Sequence, residues 1–215
     1  MTVRGVILAG GGATRFGGRP KGLEKVGGRR ILDRIADELV AALGTPPLLV
    51  ANAADAAAWR PDLEVVADDQ PGLGALGGIY TAVVKGPAPV VVVAWDMPFV
   101  SAPLIEALAR GLEGADACLP SSGGPRGVEP LCAAYGPACR SAIEQSLAEG
   151  DLRAIGFHRF LRVSILPITS VSGLVDPALA FFNVNTANDL AEAEASWQAR
   201  VSSRSSDERT PGRPR

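Results

Sequence analysis

The 215-residue sequence predicts an α/β protein with a mainly parallel sheet covered by helices on both faces. Three observations carry that expectation. Short apolar runs alternate along the chain with segments of helical period. The strongest run, PVVVVAW at Pro89–Trp95, lacks polar alternation, as a strand buried on both faces should. Polar, chemistry-bearing features directly follow the apolar runs: a glycine-rich loop, then Asn52, Asp68 and Asp96. In open parallel sheets, ligands bind beyond that carboxyl edge.

The first strand is expected at Val3–Leu8. After the glycine loop, Ile31, Leu32, Ile35, Leu39, Val40 and Leu43 recur at helical spacing. Pro47–Ala51 (PLLVA) and Leu63–Ala67 (LEVVA) read as strands with a short helical piece between them. Gly74–Lys85 reads as a helix and Pro89–Trp95 as the central strand. A helix over Ala102–Leu112 precedes strands near Ala115–Leu119 and Pro130–Tyr135, which flank a Gly/Pro-rich turn. Pro137–Glu149 reads as a helix stopped by Gly150, and Arg162–Ile168 as a further strand. Phe181–Asn185 leads into Thr186, the expected N-cap of a last helix ending near Arg200. The remainder, VSSRSSDERTPGRPR, has no apolar period and is expected to be disordered. One domain over residues 1–200 and a tail over 201–215 result.

At 47% hydrophobic and 20% charged, the chain can bury one core. A net charge of −2 offers no basic face for nucleic acid, so any anion site must be local. Cys118, Cys132 and Cys139, odd in number and without a C-x-x-C pair, are expected to be reduced thiols. No apolar run approaches the roughly 18 residues of a membrane span. The N-terminal residues enter a strand pattern without a cleavage signal, so a soluble, cytoplasmic protein is expected.

The stretch LAGGGATRFGGRPKGL (Leu8–Leu23) holds six glycines, two arginines and one lysine. Backbone without Cβ atoms approaches phosphate closely and aims N–H groups at it. Arg15 and Lys21 supply charge. A nucleoside triphosphate carries roughly four negative charges; one Mg²⁺ balances about two, and two cationic side chains fit the rest. The loop matches neither the P-loop frame nor the dinucleotide fingerprint. By composition alone, a solvated glycine turn is the more frequent reading. GLGALG (Gly72–Gly77) does match G-x-G-x-x-G, with Asp96 at about the right distance onward. A nicotinamide-dependent enzyme is therefore the rival from another class.

The pattern LAGG-x-x-x-R-[MF]-G-G-x-x-K-x-L resembles the opening of the molybdenum-cofactor nucleotidyltransferases (the MobA-like family), in particular the guanylyltransferases that attach GMP to molybdopterin. Leu8, Ala9, Gly10, Gly11, Arg15, Phe16, Gly17, Gly18, Lys21 and Leu23 occupy its defining positions. Asp68 with PGLGALGGIYTA, then WDMPFV, then FFNVNTANDL are similar to later blocks of that family, in order. Ala75 and Gly77 depart from its usual proline and alanine, and Trp95 stands where a small residue is more common. LAGG, rather than the L-A-A-G of cytidylyl relatives, speaks for guanine.

The resemblance implies a Rossmann-like three-layer nucleotidyltransferase fold. It implies Mg²⁺-dependent transfer of GMP from GTP to the terminal phosphate of molybdenum-molybdopterin, with release of pyrophosphate. Cytidylyl transfer to the same cofactor, another MobA-like transfer, or a non-catalytic nucleotide- or cofactor-binding relative are the alternatives. The implied partners are GTP, the molybdenum cofactor, and cofactor-delivery proteins or acceptor molybdoenzymes, with no nucleic acid and no membrane.

Arg15, Lys21 and Asp96 are the candidate catalytic residues. Asp96, ending the central strand, is a hard oxygen ligand suited to Mg²⁺; a turn or N-cap aspartate is the bland alternative. A carboxylate at Asp68 or Asp69 would accept from both N1–H and the 2-amino group of guanine, a donor pair that adenine and cytosine lack. The resemblance favours Asp68. It also implies nucleotide contacts for Leu8, Ala9, Gly10, Gly11 and Asn52, with Gly10 and Gly11 cradling the leaving diphosphate. Arg126, Asn183 and Asn185 fall on the acceptor side. His158, the single histidine, reads as structural or exposed rather than catalytic. Nucleotidyl transfer needs no Ser/His/Asp set, because the acceptor phosphate is already a nucleophile.

Overall fold

Strand β1 spans Arg4–Leu8 in a computed structural model that describes residues 2–10, 20–87 and 89–207. A small antiparallel hairpin, β2 (Lys25–Val26) and β3 (Arg29–Arg30), leads into helix α1 (Ile31–Leu43). Strand β4 (Leu48–Val50), helix α2 (Ala56–Trp59), strand β5 (Glu64–Val66), helix α3 (Gly74–Lys85) and strand β6 (Val90–Ala94) follow. Then come α4 (Ala102–Arg110), β7 (Ala117–Pro120), β8 (Cys132–Tyr135), α5 (Cys139–Ala148) and β9 (Val163–Leu166). Short helices α6 (Ile168–Leu174) and α7 (Pro177–Ala180) precede the long α8 (Ala187–Asp207).

Seven strands form the main sheet in the order β5-β4-β1-β6-β8-β7-β9. Strand β8 runs antiparallel to both neighbours, and every other pairing is parallel. The mainly parallel, helix-covered architecture matches the expectation. Successive side chains of a strand face opposite ways, so β1 and β6 feed two cores. Ile7, Val91 and Val93 pack with α1 and α4, whereas Val6, Leu8, Val90 and Val92 pack with α3 and α5. Val90 to Val93 are fully buried, which is why that run carries no polar alternation.

Helix α1 buries Ile31, Leu32, Ile35, Ala36 and Leu39, while Val40, expected on the same stripe, is 38% exposed. Gly44 ends the helix at φ 74°, and its N–H donates to the Val40 carbonyl. A side chain there would be strained, so the helix stops where glycine permits it.

The sequence reading needs correction at several places. Helix α8 continues to Asp207, so part of the segment expected to be disordered is helical. Ser, Arg and Asp are tolerated in an exposed helix, and no proline interrupts before Pro211. Residues 208–215 lie outside the described part. The β2–β3 hairpin, α6, α7 and a 3-10 turn at Gly156–Phe160 carry too short a pattern to register as periodicity. Cys118, Cys132 and Cys139 are free and buried, and burial pushes the Cys139 thiol up to about 12. His158 packs edge-on against Phe157, and burial lowers its pKa to about 4, in keeping with a structural role. Among the described residues, no helix is long and apolar enough to cross a membrane.

Candidate active site

A cavity of about 580 Å³ opens beyond the carboxyl ends of β1, β4, β5 and β6. Leu8 and Gly10 line it from the end of β1, Val50 and Asn52 from β4, Asp68 after β5, and Ala94, Trp95 and Asp96 from β6. Gly72, Gly74, Ala75 and Gly78 close one wall at the start of α3. Leu131, just before β8, and Asn183 and Asn185, just before α8, complete it.

Lys21 sits in the 3-10 turn Lys21–Leu23 and is only 9% exposed. Its Nζ donates to Asn185 Oδ1 at 2.6 Å and lies 3.6 Å from Asp96 Oδ2. Asp96 Oδ1 is buried and, among the described residues, has no hydrogen-bond partner. Burial pushes the Asp96 carboxyl above the usual carboxylate range, and Lys21 pulls it back only in part. A carboxylate kept this poorly solvated is primed for a cation.

The segment carrying Asn183 and Asn185 is fastened from both sides. The Val184 N–H donates to the Asp96 carbonyl at 2.9 Å. Thr186 caps α8 as expected: the Asp189 N–H donates to Thr186 Oγ1, while Asp189 Oδ2 accepts from the N–H groups of Asn185 and Thr186. This reciprocal cap fixes the backbone from which Asn185 reaches Lys21.

At the other end, Asn52 and Asp68 form a two-point contact. Asn52 Nδ2 donates to Asp68 Oδ2, and the Asp68 N–H donates to Asn52 Oδ1, both at 2.8 Å. The amide therefore orients the carboxylate. Asp69 is engaged elsewhere: its N–H donates to Thr81 Oγ1, and its carboxylate pairs with Lys85 at 2.8 Å. It does not line the cavity, whereas Asp68 does.

Of the remaining candidates, Leu8 and Gly10 line the cavity, while Ala9 is buried and its N–H pairs with the Val50 carbonyl. Gly11 and Arg15 lie outside the described residues. Arg126 sits in an exposed turn and does not line the cavity. Its charge is felt at Glu129, a mostly buried carboxyl that the sequence reading missed. Glu129 lies in the turn just before β8, where the Cys132 N–H donates to the Glu129 carbonyl and the Ala94 N–H to the Leu131 carbonyl, close to the end of β6 that leads into Asp96. Burial raises the Glu129 carboxyl, with the Leu131 N–H and Arg126 lowering it and Asp96 adding to the rise. The folded turn before β8 makes that placement, which no local sequence pattern signals.

Gly72 and Gly74 adopt φ of 94° and 58°, so the G-x-G-x-x-G match reflects a turn that glycine alone enters easily, followed by the start of α3. Residues 5–163 match the MobA-like NTP transferase domain. The chain belongs to that family. Its fold is a Rossmann-like nucleotidyltransferase fold, and it is a nucleotidyltransferase. A probable molybdenum cofactor guanylyltransferase of Pelotomaculum thermopropionicum is 35% identical over 194 residues, covering 90% of this chain and 92% of that relative. The crystal structure of molybdopterin-guanine dinucleotide biosynthesis protein A from Archaeoglobus fulgidus has a TM-score of 0.77 and 25% identity, covering 92% of this chain and 100% of that one. A Mycobacterium tuberculosis protein solved in complex with manganese shares the fold at a TM-score of 0.64 and 17% identity, over 91% of this chain and 100% of that one. In MobA-like terms, the cavity presents one end with cation, carboxylate and amide, and another with an amide-braced carboxylate. It can hold an extended anion at the first and a hydrogen-bond donor pair at the second.

Proposed function

We propose that this chain transfers GMP from GTP to the terminal phosphate of molybdenum-molybdopterin, releasing pyrophosphate. The observation that carries the reading is the placement of Lys21, Asp96 and Asn185 at one end of a single cavity and the braced Asp68 at the other. Strands β4 and β1 separate β5 from β6, about 14 Å at roughly 4.8 Å per strand, which divides a base subsite from a phosphate subsite. The names of the relatives agree with this reading.

At the base subsite, Asp68 accepts from N1–H and the 2-amino group of guanine, held to that task by Asn52. At the phosphate subsite, Lys21 with the Gly10 backbone, and Gly11 and Arg15, offset charge on the β- and γ-phosphates. An oxygen of the acceptor phosphate attacks the α-phosphorus, and the bond from that phosphorus to the α,β-bridging oxygen breaks. The electron pair leaves on pyrophosphate, where Lys21 stabilises the growing charge. Asn183 and Asn185, which line the cavity, orient the acceptor. No side-chain base is required, since positioning and charge neutralisation supply the rate.

Asp96 and the Asn185 amide fit Mg²⁺: both are hard oxygen donors, and Asp96 Oδ1 is buried without a hydrogen bond among the described residues. When bound, the ion supplies charge neutralisation and polarises phosphoryl oxygens. The manganese complex of the mycobacterial protein supports a divalent ion in this fold. These substrates place the reaction in the cytoplasm, with delivery proteins or acceptor molybdoenzymes taking the product.

The test is product formation from GTP, Mg²⁺ and molybdenum-loaded molybdopterin. Pyrophosphate and the guanine dinucleotide should appear in equal amounts, and Asp96→Asn should form neither while keeping its circular dichroism spectrum. Wild-type rates in Asp96→Asn would remove the metal role, and failure of the wild type to use GTP would overturn the reading.

A further inference from the structure

Lys21 is buried to an extent that lysines rarely reach. Its ammonium is fixed by Asn185 and Asp96, and the backbone of the next residue, Gly22, lies against an indole. A Cβ built on Gly22 would overlap Trp95 Cε3 and lie 2.9 Å from Cδ2 and 3.3 Å from Cζ3. The ring has no room to yield. Trp95 is 4% exposed and stacks on Trp59, with centroids 5.3 Å apart and planes 20° from parallel. Trp59 is held in turn: its Nε1–H donates to Asp55 Oδ2, and its carbonyl accepts from Arg30. Among the described residues Trp95 Nε1–H has no acceptor, and the stack on Trp59 locates the indole.

The backbone of Trp95 is tied into the same site. Its N–H donates to the Leu8 carbonyl at 3.2 Å, and the next residue is Asp96. One residue thus joins the end of β1, the carboxylate and the lysine turn. We propose that Trp95 is a positioning residue for Lys21, and that the missing side chain of Gly22 and the indole form a matched pair that sets where the ammonium meets the phosphates. A Cβ at position 22 would occupy the space the indole fills.

The inference rests on Lys21 contacting phosphate. The probes are inorganic pyrophosphate with Mg²⁺, and GTP with Mg²⁺, both measured by calorimetry. Gly22→Ala should weaken pyrophosphate binding by about tenfold or more, the loss expected for a displaced charge-assisted hydrogen bond. Trp95→Leu, which forfeits no hydrogen bond, should weaken it by at least about threefold. The double variant Gly22→Ala/Trp95→Leu, in which the added methyl enters vacated space, should return to within about twofold of wild type; that recovery is the coupling a shared contact predicts.

Ligand-free melting temperatures separate the roles. A merely structural contact would lower them and leave the affinity of the folded protein unchanged. Gly22→Ala binding pyrophosphate like the wild type, or a double variant no better than the weaker single one, would overturn the proposal. Should Gly22→Ala fail to fold, Trp95→Leu decides: unchanged pyrophosphate affinity overturns it. If guanine recognition were wrong instead, the wild type would prefer another nucleotide to GTP while the pyrophosphate pattern across the variants persisted.

Discussion

Replacing Lys21 with methionine keeps the length of the side chain and deletes its charge. Attraction between Nζ and Asp96 Oδ2 at 3.6 Å is worth about 4–5 kcal/mol at an effective dielectric of about 20. Desolvation of both groups offsets much of this, but removing one partner leaves the other buried and unpaired. The two side chains are 11% and 14% exposed at a cavity mouth, so a cost near the low end of buried-pair values applies, about 2–3 kcal/mol. At about 2–4 °C per kcal/mol for a chain of this size, the metal-free variant should melt about 4–12 °C below wild type at pH 7.5. The sign of the pH dependence follows from Asp96. Burial holds its folded pKa above the ordinary aspartate value, and losing Lys21 raises it further. A carboxyl raised in the folded state costs stability above its folded pKa, and that cost fades as pH falls toward the unfolded value. The gap between Lys21→Met and wild type should therefore narrow from pH 7.5 to pH 5 in melts with chelator present. A gap that stayed constant or widened, or a variant as stable as wild type at pH 7.5, would refute the reasoning.

Asp68→Asn turns an acceptor into a mixed group, and its affinity for GTP should fall about 10–100-fold with little change for CTP, measured by competition binding. Asn52→Ala removes the brace alone and should cost GTP affinity about three- to tenfold. His158, with its pKa lowered from 6.5 to about 4 by burial, refuses a proton that the unfolded chain accepts. Wild-type stability should drop by about 3 kcal/mol as pH falls through that window, and urea titrations of His158→Phe should show a flatter profile. Gly27, at φ 58°, lies against Trp197, whose ring also carries the Arg34 guanidinium at 3.8 Å. Gly27→Ala should loosen α8 from the β2–β3 hairpin, costing about 1–3 kcal/mol in thermal unfolding.

What was legible in the sequence depended on range. The central strand β6, the α1 stripe and the Thr186 cap are local patterns, and each appears in the structure where those residues predicted it. Asn52, Asp68 and Asp96 meet at one cavity because parallel strands deliver their carboxyl ends to one edge, a consequence of fold class alone. Glu129 escaped notice because its electrostatic coupling to Asp96 depends on where the turn before β8 packs, which periodicity does not encode. The contact of Gly22 with Trp95 joins positions far apart in sequence, so Trp95 could be seen only as a departure. Helix α8 overran its expected end because polar residues without a breaker read equally as coil or exposed helix.

The central claim is tested most directly by following labelled phosphorus. GTP labelled at the α-phosphorus should pass its label to molybdenum-molybdopterin, whereas label at the γ-phosphorus should leave with pyrophosphate, and CTP labelled at the α-phosphorus should transfer far more slowly. Transfer of the γ-label to the pterin, or faster transfer from CTP than from GTP, would contradict the assignment.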